Sequence, residues 1–376
     1  MGLEDLPQIH IGEVTLIGTG GGYGESSVIH IGNNEWVVID SCIDPNTRTC
    51  LPLDYLLALG VDVKTQVKVI ICTHWHDDHI LGMSSLLGAC ESAKFYFARS
   101  TDKDKFLLLL SLDVAKADDG VWSSSTTEFF NCVKLIAERN EIPLRASQDR
   151  LLYKTEANGV SNEVWALSPS DYTLDKFDQE ISKLIDVIKH RNKKFINESP
   201  NSKSVVIYIK INDHRILLGA DLEISRDNKE GWDNILENCL SIDRKASLFK
   251  VPHHGSENGY HTKIWSSLLI DNPVSKITPW NRNQKLPQKS MLQKYAGHSS
   301  NLYLTTSVLT LGSKAKKREK SIEKLILEKN PSLQEIKYKH GIIRSRIDCL
   351  KNDVIWQVEL FGAAVQIDQS YIDKMA

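Results

Sequence analysis

The chain has no Cys-x-x-Cys pair. Its seven cysteines, Cys42, Cys50, Cys72, Cys90, Cys132, Cys239 and Cys349, are scattered and odd in number. That excludes a zinc knuckle, speaks against a disulfide framework, and leads us to expect reduced thiols in a cytoplasm. Nor is there an apolar run long enough to span a bilayer: the strongest, Phe106 to Leu112, is short and bounded by Lys105 and Asp113, so no membrane contact is expected. The opening residues, Met1-Gly2-Leu3-Glu4-Asp5-Leu6-Pro7, carry acids where a signal peptide carries lysines. Charge of one sign is missing as well. A formal net charge of -2 over 376 residues excludes a surface that coats polyanions wholesale, and any nucleic-acid contact must come from a local patch.

What is present is a dense set of ligand-type side chains at the end of an apolar strand. Val67-Lys68-Val69-Ile70-Ile71-Cys72 runs into Thr73-His74-Trp75-His76-Asp77-Asp78-His79, which has the form His-x-His-x-Asp-His. Burying so many polar groups without partners would cost several kcal/mol, so a metal cluster is the reading that makes sense of them. Before it, Ile9 to Ile11, Glu13 to Ile17, Ser27 to Ile31 and Trp36 to Ile39 read as short strands, the last ending at Asp40. The glycines from Gly18 to Gly24 lie between two strands, not between a strand and a helix, and read as a loop bordering a site, not as a nucleotide-phosphate loop. Leu53 to Leu59 and Met83 to Leu87 read as helices, and Lys94 to Phe97 as a strand, giving an α/β layer fold with its chemistry at strand ends.

Residues 100 to 158 read as a mostly helical insertion, and Phe177, Ile181, Leu184, Ile185 and Ile188 as one face of a long helix. The second half repeats the strand-then-ligand theme. A hairpin, Ser204 to Ile211 and Arg215 to Leu218, ends in Gly219-Ala220-Asp221, and the strand Ala246 to Val251 delivers Pro252-His253-His254-Gly255-Ser256. Residues 311 to 376 read as a C-terminal extension with a charged helix, Lys314 to Lys329, and closing strands. With no repeat and no linker in sight, one domain over 1–376 is expected.

Aspartates or histidines thus stand at four strand ends, and His and carboxylate donors without thiolate suit Zn2+, Mn2+ or iron at a site that keeps a position open for water. The cluster resembles the signature of the metallo-β-lactamase fold superfamily, a four-layer αβ/βα sandwich with a two-metal site between sheet edges. The resemblance implies that His74 and His76 bind metal one, that Asp78 and His79 bind metal two, and that Asp221 bridges. Asp40 would support the metal loop without ligating. A histidine of the His253-His254 pair would complete metal two. Adjacent residues of an extended segment point to opposite sides, so the choice between the two stays open; His254 is preferred as the ligand, with His253 in substrate contact or the second sphere.

Further elements, Gly24-Glu25-Ser26-Ser27, Leu167-Ser168-Pro169, Asn201 to Val206, Lys250 to Ser256 and Leu302 to Thr306, are similar to the ComEC-like branch, which includes the nuclease domain of DNA-uptake channels. One feature of the superfamily is missing: only His190 and His214 lie between the first cluster and Asp221, and neither fits a strand-end ligand, which implies a weaker metal one.

The expected activity is metal-dependent phosphodiester hydrolysis, first of all a DNA nuclease using a metal-activated hydroxide, with two divalent ions, Zn2+ or Mn2+, as cofactors. Asp78 and His253 are the catalytic candidates. Ser168, Asn201, Ser256, Lys316, Lys317 and Arg318 are candidate substrate contacts, the last three as a basic patch for a nucleic-acid backbone. Two other readings stay open: a small-substrate phosphodiesterase or esterase, of phosphorylcholine esterase or cyclic-nucleotide type, and a non-catalytic partner-binding module that retains the fold.

Overall fold

The computed structural model describes residues 2–20, 24–99, 108, 124–191, 201–281, 284–311 and 339–375. The strands β1 (Ile11–Gly18), β2 (Glu25–His30), β3 (Trp36–Ile39), β4 (Val67–Cys72), β5 (Lys94–Phe97) and β6 (Leu144–Arg145) belong to one sheet, with β14 (Gly341–Asp348) and β15 (Gln357–Gly362) added beyond β1. The other sheet holds β7 (Arg150–Ala157), β8 (Val160–Ala166), β9 (Ile207–Ile211), β10 (His214–Leu218), β11 (Ala246–Lys250), β12 (Leu269–Ile277), β13 (Leu302–Leu304) and β16 (Val365–Ile367). Both sheets repeat one pattern. Strands β1, β2 and β3 pair antiparallel and β3 to β6 parallel; β8, β9 and β10 pair antiparallel and β10 to β13 parallel.

Period-2 alternation assigns each side chain to a layer. In β3, Val37 and Ile39 face the other sheet while Trp36 and Val38 face the helices. In β10 and β11, Ile216, Leu218 and Leu248 point between the sheets and Leu217 and Phe249 point outward. A one-residue slip of β4 would exchange Val69 and Ile71 for Ile70 and Cys72, so burial on both faces pins the register. Helices Leu51–Ala58, Met83–Ala89, Ser124–Glu138 and Asp171–Arg191 cover the first sheet; Gly231–Asn238, Lys289–His298 and Gln369–Asp373 cover the second. The result is a four-layer sandwich. Lys276 crosses its middle, donating from β12 to the carbonyls of Val14 (2.6 Å) and Ile343 (3.0 Å) in the opposite sheet.

Two expectations about the chain's organisation change. Of the stretch 100 to 158, the described part holds one helix, Ser124–Glu138, and then strands: β6 and β7 continue the two sheets, so this end of the stretch is sheet rather than helix. The alternation of β7 is blunted because most of its residues are exposed or half-exposed, and a polar outer strand carries little hydrophobic signal. The strands of the C-terminal segment are also structural: β14 pairs with β1 over eight residues and β16 closes against β13. The expected helix Lys314 to Lys329 lies outside the described residues, and no described helix is long and apolar enough to cross a membrane.

His30, at the end of β2, is fully buried against Trp36, with Nδ1 donating to the Ile11 carbonyl at 2.7 Å. Burial, and then the positive charge of Arg346, push its pKa down to about 4. The unfolded chain would hold this proton near pH 6.5, so the stability gained by keeping the ring neutral is present above that value and is lost as the pH falls towards 4. Urea unfolding of wild type and His30→Gln at pH 7 and pH 5 tests this: the wild type should lose about 2 kcal/mol more than the variant between the two pH values. Equal losses would rule it out.

Candidate metal centre

The carboxyl ends of β3 and β4 face those of β10 and β11 across the sandwich, and the candidate ligands stand there. Backbone conformation at these ends is unusual. Asp40 (φ 60°), Ala220 (φ 45°), His253 (φ 46°) and His254 (φ 54°) are all left-handed, a region that non-glycine residues adopt at a cost of about 1–3 kcal/mol each and that clusters at functional sites. The Pro252-His253-His254-Gly255 segment is therefore not extended, as the sequence suggested, but a tight turn in which Gly255 N–H donates to the Pro252 carbonyl at 3.0 Å. On the other side, His76 is extended, and a short helical turn, Asp77–Ile80, brings Asp78 and His79 back over the strand ends.

Four buried residues meet: Asp78, His79, Asp221 and His254. His254 Nε2 lies 3.2 Å from Asp78 Oδ2 and 3.3 Å from Asp221 Oδ2, and His79 Nε2 lies 3.4 Å from each of the same two oxygens. A tetrahedral ion with bonds of about 2.0–2.1 Å has donor-to-donor edges of about 3.3 Å, and these four spacings match four of its six edges. The ring orientations fit too. His79 gives its Nδ1 proton to Asp40 Oδ2 (2.8 Å) and His254 gives its own to the Thr278 carbonyl (3.0 Å), which turns both Nε2 atoms inward. His79 Nε2 makes no hydrogen bond among the described residues although it is buried, as a ligand atom would.

Asp40 is the brace of this arrangement. It accepts from Thr73 N–H and Thr73 Oγ1, both at 2.7 Å, as well as from His79, and so supports the loop without joining the four donors. Burial alone would make Asp78 and Asp221 harder to ionise. The charges of His79 and His254 outweigh it and hold both carboxyls well below their usual range. Burial likewise works against protonated His79 and His254, but the surrounding carboxylates push His79 well above its ordinary value and His254 up to about 10. The set attracts positive charge, and a metal entering it must displace protons.

The other half of the expected site is sparser. His74 Nε2 and His76 Nδ1 are 3.2 Å apart, with Asp221 Oδ2 4.0 Å from His74. Burial first, and the positive fields of neighbouring histidines, lower the pKa of both rings. No third histidine joins them among the described residues: His214 lies at the opposite end of β10, bonded to the Lys351 carbonyl at 2.9 Å. His253 stays out of the four-donor set. Its ring is at the rim, 3.2 Å from Glu223 Oε1 through Nδ1, and Asn201 donates to its Nε2 at 3.2 Å and to Glu223 at 2.8 Å.

Ser168 and Ser256 are placed differently from their expected role. Ser168 spends its hydroxyl on the Ser204 carbonyl (2.7 Å) and the Val206 N–H (2.8 Å), and Ser256 bonds Asn258 within its own turn. Both are buried, Ser168 with its hydroxyl on backbone partners and Ser256 with its own on the Asn258 side chain, so both hydroxyls are already engaged within the fold. Lys316, Lys317 and Arg318 lie outside the described residues. Trp75 packs against Phe129 and Phe177, while Trp280 stacks on the His254 ring at 5.0 Å.

Sequence reasoning assigned no role to Lys250, Glu25 or Glu223. Lys250 is buried behind the site, paired with Glu25, donating to the Ala220 carbonyl at 2.8 Å and lying 3.6 Å from Asp221 Oδ1. Glu25 Oε1 in turn lies 3.8 Å from His79 Nδ1. The available signal was a lysine inside an otherwise apolar strand, which must find a buried acid.

Residues 19–102 match the model of the Metallo-beta-lactamase superfamily. Among solved structures the chain is similar to the metallo-beta-lactamase fold protein YhfI from Bacillus subtilis, with 12% identity over 64% of this chain and 70% of that one and a TM-score of 0.32. It is also similar to the short form of human tRNase Z (11% identity, 63% and 76% covered, TM-score 0.32). A third is MEM-A1, a subclass B3 metallo-beta-lactamase from a soil metagenome library (12%, 73% and 81%, TM-score 0.31). No curated protein matches the sequence. The two mixed sheets flanked by helices form the α/β sandwich of the metallo-β-lactamase fold.

Metal titration against a chromophoric chelator separates the roles. Asp40→Asn should weaken Zn2+ binding by about 10–100-fold, because it orients His79 without ligating. His254→Ala should weaken it more, and His253→Ala should leave it nearly unchanged. Equal losses for the two histidines would contradict the geometry.

Proposed function

We propose that the chain is a divalent-metal-dependent phosphodiester hydrolase acting on DNA. The observation that carries the reading is the four-donor set of Asp78, His79, Asp221 and His254, already spaced for an ion at the mouth between two sheets. Its support for a phosphodiester is the sequence likeness to the ComEC-like branch at Lys250 to Ser256 and Gly24 to Ser27. A divalent ion bound there, of Zn2+ or Mn2+ type, supplies a Lewis acid that lowers the pKa of water and offsets negative charge on a phosphoryl group.

The remaining work falls to the protein. Asp78, kept ionised by its histidine neighbours, is available to orient an attacking water, and Asp40 and Thr278 keep the two ligand rings from turning. His74 and His76, with two donor atoms where a full site needs more, leave room for substrate oxygens beside them. His253 stands at the rim between Glu223 and Asn201, where its ring faces the space a leaving group would occupy.

Pure protein incubated with Mn2+ or Zn2+ and single- or double-stranded DNA decides the matter. Cleavage should be seen, and should be lost in the His76→Ala, Asp78→Ala double variant; cleavage no greater than that of the double variant sinks the nuclease reading. The helix Ser124–Glu138 packs on the ligand loop through Trp75 and Phe129, and Glu128 bonds Ser84, which favours a second reading, a narrower site for a small phosphodiester. Turnover of bis(p-nitrophenyl) phosphate without DNA cleavage would select it.

A further inference from the structure

The corner where the two sheets join, on the same edge as the metal cluster, carries three arginines that the site above does not use. Cys72, Phe97 and Arg145 are register partners across β4, β5 and β6. His74 lies two residues beyond Cys72 and Arg99 two beyond Phe97, so at a strand spacing of about 4.8 Å the Arg99 and Arg145 backbones stand one and two strands from the His74 position. In the other sheet Arg150, Ala166, Ile207 and Leu218 are aligned, and β10, which carries Leu218, leads on to Asp221. The turn between β6 and β7 closes the corner: Ala146 N–H donates to the Phe97 carbonyl at 2.8 Å and Arg150 N–H to the Ser147 carbonyl at 3.2 Å.

The three guanidiniums are short of acids. Arg145 pairs with Asp171 at 2.6 Å, an acid whose side chain is 86% exposed, while neither Arg99 nor Arg150 has a carboxylate partner among the described residues. The Nε atoms of Arg99 and Arg145 are buried without a hydrogen bond. Partial burial, and then the positive charges of Arg145 and Arg150, hold the Arg99 guanidinium below its ordinary value, so both neighbours reach Arg99 with their charge. Like charges gathered this way are unfavourable unless an anion joins them, and the planar fork of a guanidinium matches phosphate oxygens two at a time.

We propose that Arg99, Arg145 and Arg150 form an anion subsite that holds a backbone phosphate of a nucleic-acid strand, near the bond presented to the metal cluster but not at it. The inference rests on the nuclease reading for its ligand. It does not depend on cleavage for its test.

Binding is measured in the Asp78→Ala variant without added metal, by fluorescence anisotropy of a labelled oligodeoxythymidylate across a salt series. Adding Arg99→Gln and Arg150→Gln should weaken binding about tenfold at low salt and reduce the slope of log affinity against log salt by about 1.4, the release expected from two lost phosphate contacts on a single strand. Arg99→Lys with Arg150→Lys should restore most of the slope, and it serves where the glutamine variant unfolds early in a melting curve. Lys351→Gln, at the far end of the sandwich, should change neither quantity. Unchanged affinity and slope in the arginine variants overturns the subsite, as does arginine-dependent binding of pyrophosphate with none of the oligonucleotide. Arginine-dependent binding by a protein that cleaves no DNA would remove the nuclease reading and keep the subsite; cleavage and binding indifferent to the arginines would do the reverse.

Discussion

Two imidazoles are pressed within 3.2–3.4 Å of two carboxylates, one of each from either half of the molecule, in a buried site between sheet edges. Buried charge is tolerated only when it is paired and held. Much of the surrounding structure supplies that holding. Asp40 ties Thr73 and His79 together, the Thr278 carbonyl fixes His254, and the buried Lys250–Glu25 pair sits behind Asp221. The left-handed residues at the ends of β3, β10 and β11 are the backbone cost of aiming these groups at one point.

The two halves of the site are unequal. Asp78, His79, Asp221 and His254 come together with both rings locked, while His74 and His76 lack a third histidine among the described residues, and His74 meets Asp221 only at 4.0 Å. An incomplete half next to a complete one leaves coordination to be finished by whatever binds there. The arginine corner lies one and two strands beyond the same half, so the sparser pair of histidines and three arginines with a single acid between them share one side of the edge.

The candidate ligands were readable in the chain because of contrast. An apolar strand ending in His-x-His-x-Asp-His, or in His253-His254, cannot be core, and Asp40 and Asp221 were marked by following such strands directly. The layers were readable for the same reason: the buried strands of a doubly covered sheet are near-continuous apolar runs. What failed had weak contrast. Strand β7, exposed along most of its length, read as part of a helical insertion, and the match between the two sheets' strand patterns left no repeat in the sequence. The full burial of His30 beside Trp36 depends on the β1–β2–β3 register, which no pattern of neighbouring residues carries.

By itself the sequence determined which donor types the site contains and which strands deliver them, because both are properties of a few neighbouring residues. Tertiary structure alone decided which donors meet. His254 rather than His253 enters the cluster because two successive left-handed residues turn the chain, which the alternation of an extended segment cannot anticipate. Lys250 with Glu25, Glu223 with His253, and Arg99 with Arg145 and Arg150 are brought together by sheet register over separations that local pattern does not span. Those pairings are decided by how two sheets pack, and packing is a property of the whole chain.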